Sequence, residues 1–335
     1  MTRTVKLFAG LGIATALAGC AAKEPVFFGL PPVPVTASGE TDPVGTGRAD
    51  AADDPAIWVD PANPNRALIV ATDKKAGIHV YDLAGKDIAF IKGGLVNNVD
   101  VAGNIVAASD RNDGVNAHIA LFRLDPDKPS LTSLGRAAAG TGEAYGFCLK
   151  KTAPGEPLVA ALIIKDGTVR VGPLTMGGAA PTFTTDWEAK VPTQAEGCVF
   201  DGDTLYVGEE DAGIWRLTRD SASLVAPVDN QRLVADVEGL ATIGHKGQRY
   251  LLASSQGDNA YAVFKLPSMD YVGRFAVTAG SFGATSETDG IEAVAGNFGA
   301  AYPDGIFLAQ DGDNAPKAQN FKLVRWDRIA AALGL

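Results

Sequence analysis

The feature that most constrains this 335-residue chain is a short-strand motif that recurs six times. Its clearest copy runs from Gln194 to Leu217 and reads QAEGCVFDGDTLYVGEEDAGIWRL. An acid–glycine pair, Glu196-Gly197, leads into a strand at Cys198 to Phe200. Asp201-Gly202 then supplies a tight hairpin turn, because glycine accepts the positive φ such turns need. A second strand, Leu205 to Gly208, ends on Glu209-Glu210, and Ala212-Gly213 turns the chain into a third at Ile214 to Leu217. Equivalent units are anchored at Pro55, Asp100, Gly146, Gly197, Gly239 and Gly290, roughly 40 to 50 residues apart. Their second strands align as ALIVATDKK, IVAASDR, LVAALIIK, LYVGEE, YLLASSQ and IFLAQDGD, and a third strand follows each. A period of that length built from strands, with no paired amphipathic helices, specifies propeller blades rather than a helical solenoid. The expected fold is all-β, a six-bladed β-propeller over residues 49–335, with one short helix at Trp326 to Leu335. Val33 to Thr36 is expected to close the ring as the outer edge of the last blade.

The residues before the repeats read as a processing segment and a tether. Arg3 and Lys6 precede an apolar run, Leu7 to Ala18, that is too short to span a bilayer, so residues 1–19 are expected to be a signal peptide. Leu17-Ala18-Gly19-Cys20 resembles a bacterial lipobox, which makes Cys20 the lipid-modified first residue of the mature chain. Residues 20–48 are rich in Pro, Gly, Thr and Ala, as a tether would be. The expectation is an exported monomer, lipid-anchored to the bacterial cell envelope in the periplasm or at the outer membrane. Cys148 and Cys198 are expected to be buried strand residues with free thiols. The formal net charge of −10 argues against nucleic acid as a partner.

The charges are sorted along the repeat. Just after the second strand of successive units stand Lys74-Lys75, Arg111, Lys165, Glu209-Glu210, Gln256, and Asp311 with Asp313. Around the anchors stand Asp53-Asp54, Asp100, Glu196, Asp236, Glu238 and Asp289. A propeller carries equivalent positions to one rim of its channel, so the acids are expected to converge on one side of a mouth and the cations on the other. Converging carboxylates raise one another's pKa unless a cation compensates them. Oxygen donors without thiolate, in a chain with three histidines, favour calcium over zinc. Lys and Arg opposite would hold phosphate or carboxylate, Arg bidentately. Singly, each residue also fits a plainer role: Asp53 and Asp54 as turn caps, the lysines as solvated strand ends, Arg111 as a partner of Asp110 or Asp113, Glu209-Glu210 as an edge charge pair, Tyr145 as core.

These residues resemble the β-propeller (alkaline) phytases, and the likeness runs from Thr41 to Ala330. DAADDPAIWV at Asp50 to Val59 is similar to that family's N-terminal signature. NNVDV at Asn97 to Val101 is similar to the start of its second, although Ala102-Gly103 stand where the family has Arg-Tyr. TDKKAG, EAYGF, EGLATI, LLASSQG, AQDGDN and NFKLVRWDRIA extend the match. The resemblance implies hydrolysis of the phosphomonoesters of calcium-phytate (myo-inositol hexakisphosphate) by metal-activated water, with no covalent intermediate. It assigns Asp53, Glu196, Glu210, Asp236, Glu238, Gln256 and Asp289 to a catalytic calcium cluster. Lys74, Lys75, Arg111, Tyr145 and Lys165 would hold substrate phosphates, and Asp54, Asp311, Asp313 and Asn314 a separate structural calcium. The family often has aspartate where Gly283 stands, which predicts a weaker structural site here. No Cys-x5-Arg loop or Arg-His-Gly motif offers a phosphatase nucleophile. Two other readings fit the same charges: a lactonase-like calcium-dependent propeller hydrolase, and a non-catalytic propeller lipoprotein that binds polyanions.

Overall fold

Apolar runs of about strand length, each broken by a glycine-bearing turn, pair with their sequence neighbours and build antiparallel sheets one after another. The computed structural model describes residues 28–47, 50–63, 65–151, 156–177 and 180–335; the signal segment and Cys20 lie outside them. Six sheets result. Their innermost strands are Ala52–Val59, Val96–Ala102, Ala144–Leu149, Ala195–Asp201, Val237–His245 and Ile291–Ala295. Each blade then steps outward in chain order, the fourth for example through Thr204–Glu209, Gly213–Thr218 and Ser221–Pro227. Six buried apolar clusters hold the blades together, each shared by two neighbouring sheets. The cluster joining the last blade to the first sets Phe307's neighbour Ile306, Leu308 and Phe321 against Ile57 and Ile69. The fold is the expected six-bladed propeller, and the C-terminal helix spans Trp326–Leu333.

Closure departs from the sequence expectation. Val33–Thr36 does not edge the last blade; it runs parallel to Asp270–Thr278 as a fifth strand of the fifth blade. The outer strand of the sixth blade is instead Gly39–Glu40, paired with Asn320–Arg325. The N-terminal stretch therefore stitches two blades, and a strand of four residues carried no register information to tell them apart.

The cysteines also differ from expectation. Cys148 and Cys198 lie on the inner strands of the third and fourth blades with Cα atoms 5.8 Å apart, and they form a disulfide. Neighbouring inner strands converge toward the axis, which brings equivalent positions of adjacent blades within bridging range. The bridge closes a loop of 50 residues. Removing it is expected to cost about 3–4 kcal/mol by loop entropy, read as a lower denaturation midpoint for Cys148→Ser than for the parent.

A shared irregularity builds the channel mouth. Five inner strands break register after their first residue, at Ala52/Pro55, Val96/Val99, Ala144/Phe147, Ala195/Cys198 and Val237/Leu240. Such bulges re-aim the side chains they release. The released pairs are Asp53-Asp54, Asn97-Asn98, Tyr145-Gly146, Glu196-Gly197 and Glu238-Gly239, with Asp289-Gly290 just before the sixth inner strand. The glycines let the blades close: a Cβ on Gly197 would sit 2.2 Å from the Glu238 carbonyl oxygen, and one on Gly290 2.6 Å from that of Asp53. In the first blade Asp54 takes the glycine's place and its carboxylate accepts the Val99 N–H of the second blade at 2.9 Å.

Candidate active site

The five bulges, with Asp289 just before the sixth inner strand, bring one residue from each blade to a single mouth. Glu196, Glu210 and Glu238 offer carboxylate oxygens within 4.8 Å of one another. Together with Tyr145, Gln194, Asp236, Gln256, Asp289 and Lys74 they line a cleft of about 550 Å³. Gln256 donates to Asp289 at 2.6 Å. Lys74 reaches Asp53 at 3.0 Å, Asp289 at 2.9 Å and Asp50 at 2.8 Å.

Burial and crowding set the protonation behaviour. Burial, and then Asp53, Glu238 and Asp289, hold the Glu196 carboxyl well above the usual range. Burial followed by Asp289 and Glu210 does the same to Glu238. Burial and Asp53 push Asp289 up to about 8, against the pull of Lys74. Glu210 and Asp236 are raised too, first by burial; Asp236 and then Asp211 add to the rise of Glu210, and Asp211 adds to that of Asp236. Burial alone would lower Lys74, but Asp53 and Asp289 more than reverse it, so it is a fixed cation. Asp53 Oδ2 and Glu238 Oε2 are buried and have no hydrogen-bond partner among the described residues. Two unpartnered buried carboxylate oxygens beside a cluster of raised acids are the donor set that a hard divalent cation satisfies.

The expected cations reach the same mouth, but not as a separate half-ring. Lys74 is enclosed by acids. Arg111 and Lys165 lie over the ring of Tyr145, at 5.4 and 5.1 Å from its centroid. Arg111 also pairs with Glu143 at 3.0 Å. Lys75 is exposed and stands outside the cleft lining. Glu209 faces away: it accepts from Thr193 Oγ1 at 2.6 Å and from the Trp215 indole at 2.5 Å, which fixes the strand end that presents Glu210.

Two residues without a role in the sequence reading join the halves. Asn97 donates to Glu196 Oε1 at 2.8 Å and accepts from the Arg111 guanidinium. Gln194 donates to Glu210 at 2.6 Å and to the Tyr145 hydroxyl at 3.2 Å. Asn97 is the second blade's counterpart of Asp53 and Glu196. Asn97 lies three residues before Asp100 and Asp53 two before Pro55, whereas Glu196 directly precedes Gly197, so the repeat spacing hides the equivalence.

The four residues assigned to a structural calcium do not form one site. Asp54 turns to Val99 and lines a cavity of about 640 Å³ toward the other end of the inner strands, with Asp100, Lys151 and Glu292. Asp313 is exposed, and its backbone N–H donates to Asp311 at 3.3 Å. Asp311 and Asn314 converge instead on the ammonium of Lys322, at 3.1 Å each.

The sequence model of the phytase family matches residues 11–335. A curated relative, the "3-phytase" of Bacillus subtilis (strain 168), is 38% identical over 328 residues, covering 90% of this chain and 85% of that protein. Solved structures with similarity include a computationally designed Ika8 protein, 13% identical, covering 81% of this chain and 70% of that one at a TM-score of 0.44. Another is BBS1N in complex with ARL6DN, 10% identical, covering 78% of this chain and 77% of that one at 0.48.

Proposed function

The chain belongs to the phytase family, and from that premise we propose that it is a calcium-dependent phytase acting on the phosphomonoesters of myo-inositol hexakisphosphate. The observation that carries calcium is the pair of buried, partnerless oxygens, Asp53 Oδ2 and Glu238 Oε2, beside Glu196 and Glu210. All donors in the cleft are oxygens or amides, which suits calcium and disfavours zinc. Asp53, Glu196, Glu210, Asp236, Glu238, Gln256 and Asp289 would hold the metal. Bound there, calcium would neutralise phosphate charge and activate water for in-line attack on phosphorus.

The chain's own residues do the rest. Arg111 and Lys165, flanking Tyr145, draw a phosphate to the rim beside the carboxylates and neutralise charge as the ester bond lengthens. Asn97 ties Arg111 to Glu196, and Gln194 ties Tyr145 to Glu210, so the phosphate seat and the metal ligands are held in one register. Lys74 balances Asp53 and Asp289. Lys75, exposed next in sequence to Lys74, is assigned to a neighbouring phosphate of the same inositol. A P–O ester bond breaks, water oxygen bonds to phosphorus, and the inositol oxygen leaves with a proton, giving inorganic phosphate and a lower inositol phosphate.

The test is phosphate release from phytate by metal-stripped protein given calcium, magnesium or chelator. Activity is expected with calcium and to fall at least about 100-fold in chelator; equal rates with and without metal would overturn the reading. Export as a lipoprotein through Cys20 belongs to the same proposal, and an oxidising compartment is in keeping with the disulfide between Cys148 and Cys198. Among the described residues no helix is long and apolar enough to cross a membrane.

A further inference from the structure

We propose that the ammonium of Lys322 is a built-in cation that takes the place of a structural metal ion at the ring closure. The propeller's closing joint then needs no metal, whereas its catalytic mouth does. Lys322 lies on Asn320–Arg325, the strand to which the N-terminal Gly39–Glu40 attaches, and its side chain is 0% exposed. Four side-chain oxygens surround Nζ: Glu40 Oε2 at 2.8 Å, Asn320 Oδ1 at 3.0 Å, Asn314 Oδ1 at 3.1 Å and Asp311 Oδ2 at 3.1 Å. Two carboxylates and two amide carbonyls around one buried point are the donor types a calcium ion would take. Here the point is filled by an atom covalently attached to the chain.

The residue types around the cage point the same way. Gly283 comes in from the loop before the sixth blade, and a Cβ there would sit 3.5 Å from Nζ and 3.6 Å from Cε. A carboxylate side chain at 283 would press directly against this point. Glycine leaves that side to the lysine stem. The donor set is also satisfied: an ammonium has three donors, and four acceptors already share them. A metal ion therefore does not fit this cage while Lys322 occupies it. The cage joins residues from both ends of the chain, Glu40 and Lys322, so its integrity decides whether the sixth blade keeps its outer strand. A covalent cation is present at unit occupancy whatever the calcium concentration, whereas a bound ion stabilises only by mass action.

The experiment compares thermal midpoints and bound calcium, by equilibrium dialysis, for parent, Lys322→Ala and Lys322→Met. Removing one partner from a buried charge cluster is expected to lower the chelator midpoint of both variants by roughly 5–10 °C. Calcium is then expected to restore Lys322→Ala, which has room for an ion, and to add one bound ion per chain relative to the parent. It should not restore Lys322→Met, whose side chain fills the cage. Chelator midpoints within about 2 °C of the parent, or the same ion count and the same calcium-induced shift in all three proteins, would overturn the proposal. Should Lys322→Ala fold in neither condition, Glu40→Gln decides. With the lysine kept, its loss of midpoint is expected to be equal in calcium and chelator, and a loss that calcium repairs refutes the internal-cation role. Because every readout is a midpoint or an ion count, the outcome is independent of whether the mouth hydrolyses phytate.

Discussion

Glu238→Gln is expected to leave a folded propeller that releases phosphate from phytate about 10²–10³-fold more slowly, the range found when one preorganised electrostatic group is removed from an active site. Glu238 is the member of the cluster with least to do structurally. Its backbone carries the blade contact to Gly197, while Oε2 is buried without a partner. The amide keeps the shape and the bulge but removes one of three carboxylates that lie within 4.8 Å of one another. Two consequences should separate. Calcium affinity, measured by calorimetry, should fall with the rate. The metal-free protein should become more stable, because the cost of holding a carboxyl there, set first by burial and then by Asp289 and Glu210, has gone. A residue that served only packing would lower the midpoint in both conditions. Parental activity in this variant would remove the carboxylate cluster from the chemistry.

The blades were legible because each repeats one local plan: apolar strand, glycine turn, apolar strand. Local hydrogen bonding completes such a sheet before any long-range contact is needed. The site was legible to the extent that acids preceded glycines. Glu196-Gly197, Glu238-Gly239 and Asp289-Gly290 share one physical reason, namely that the next blade's backbone passes where a Cβ would stand. Asn97-Asn98 carries neither acid nor glycine, so the second blade's inner-strand contribution to the mouth, unlike Arg111, shows only in the bulge at Val96/Val99. The sorting of charge by half-ring holds in space for Arg111 and Lys165, which share the ring of Tyr145, but not for Lys74. Lys74 is folded back among Asp50, Asp53 and Asp289 because a buried carboxylate pair needs a counter-ion more than the rim needs another cation. Lys322 and the disulfide were invisible for a common reason: both depend on which distant strands become neighbours. An internal lysine in NFKLVRW reads as any strand lysine until Glu40 arrives from 282 residues away.

Without metal, the protein is expected to lose several kcal/mol of stability as pH rises from about 4 to about 8, and calcium is expected to abolish that loss. The sign follows from the direction of the shifts. Asp289 is raised from 3.8 to about 8, by burial first and then Asp53, and Glu196 and Glu238 are raised for the same reasons. Between its unfolded and folded pKa such a group is protonated in the native state and ionised in the unfolded one. The native state then binds more protons, and stability falls with rising pH. Below the unfolded value the penalty is absent; above the folded value it is complete. Carboxyls held low by their partners, such as Asp229 beside Arg232 and Asp327 beside Arg325, act in the opposite sense, but their change lies at more acid pH. Calcium removes the loss because it binds the ionised cluster, and so displaces the protons that burial favoured. Denaturant melts of dialysed protein at pH 5 and pH 8, with and without calcium, measure both effects. A metal-free protein as stable at pH 8 as at pH 5 would mean that the cluster is neutralised from within, leaving no charge for a metal to answer.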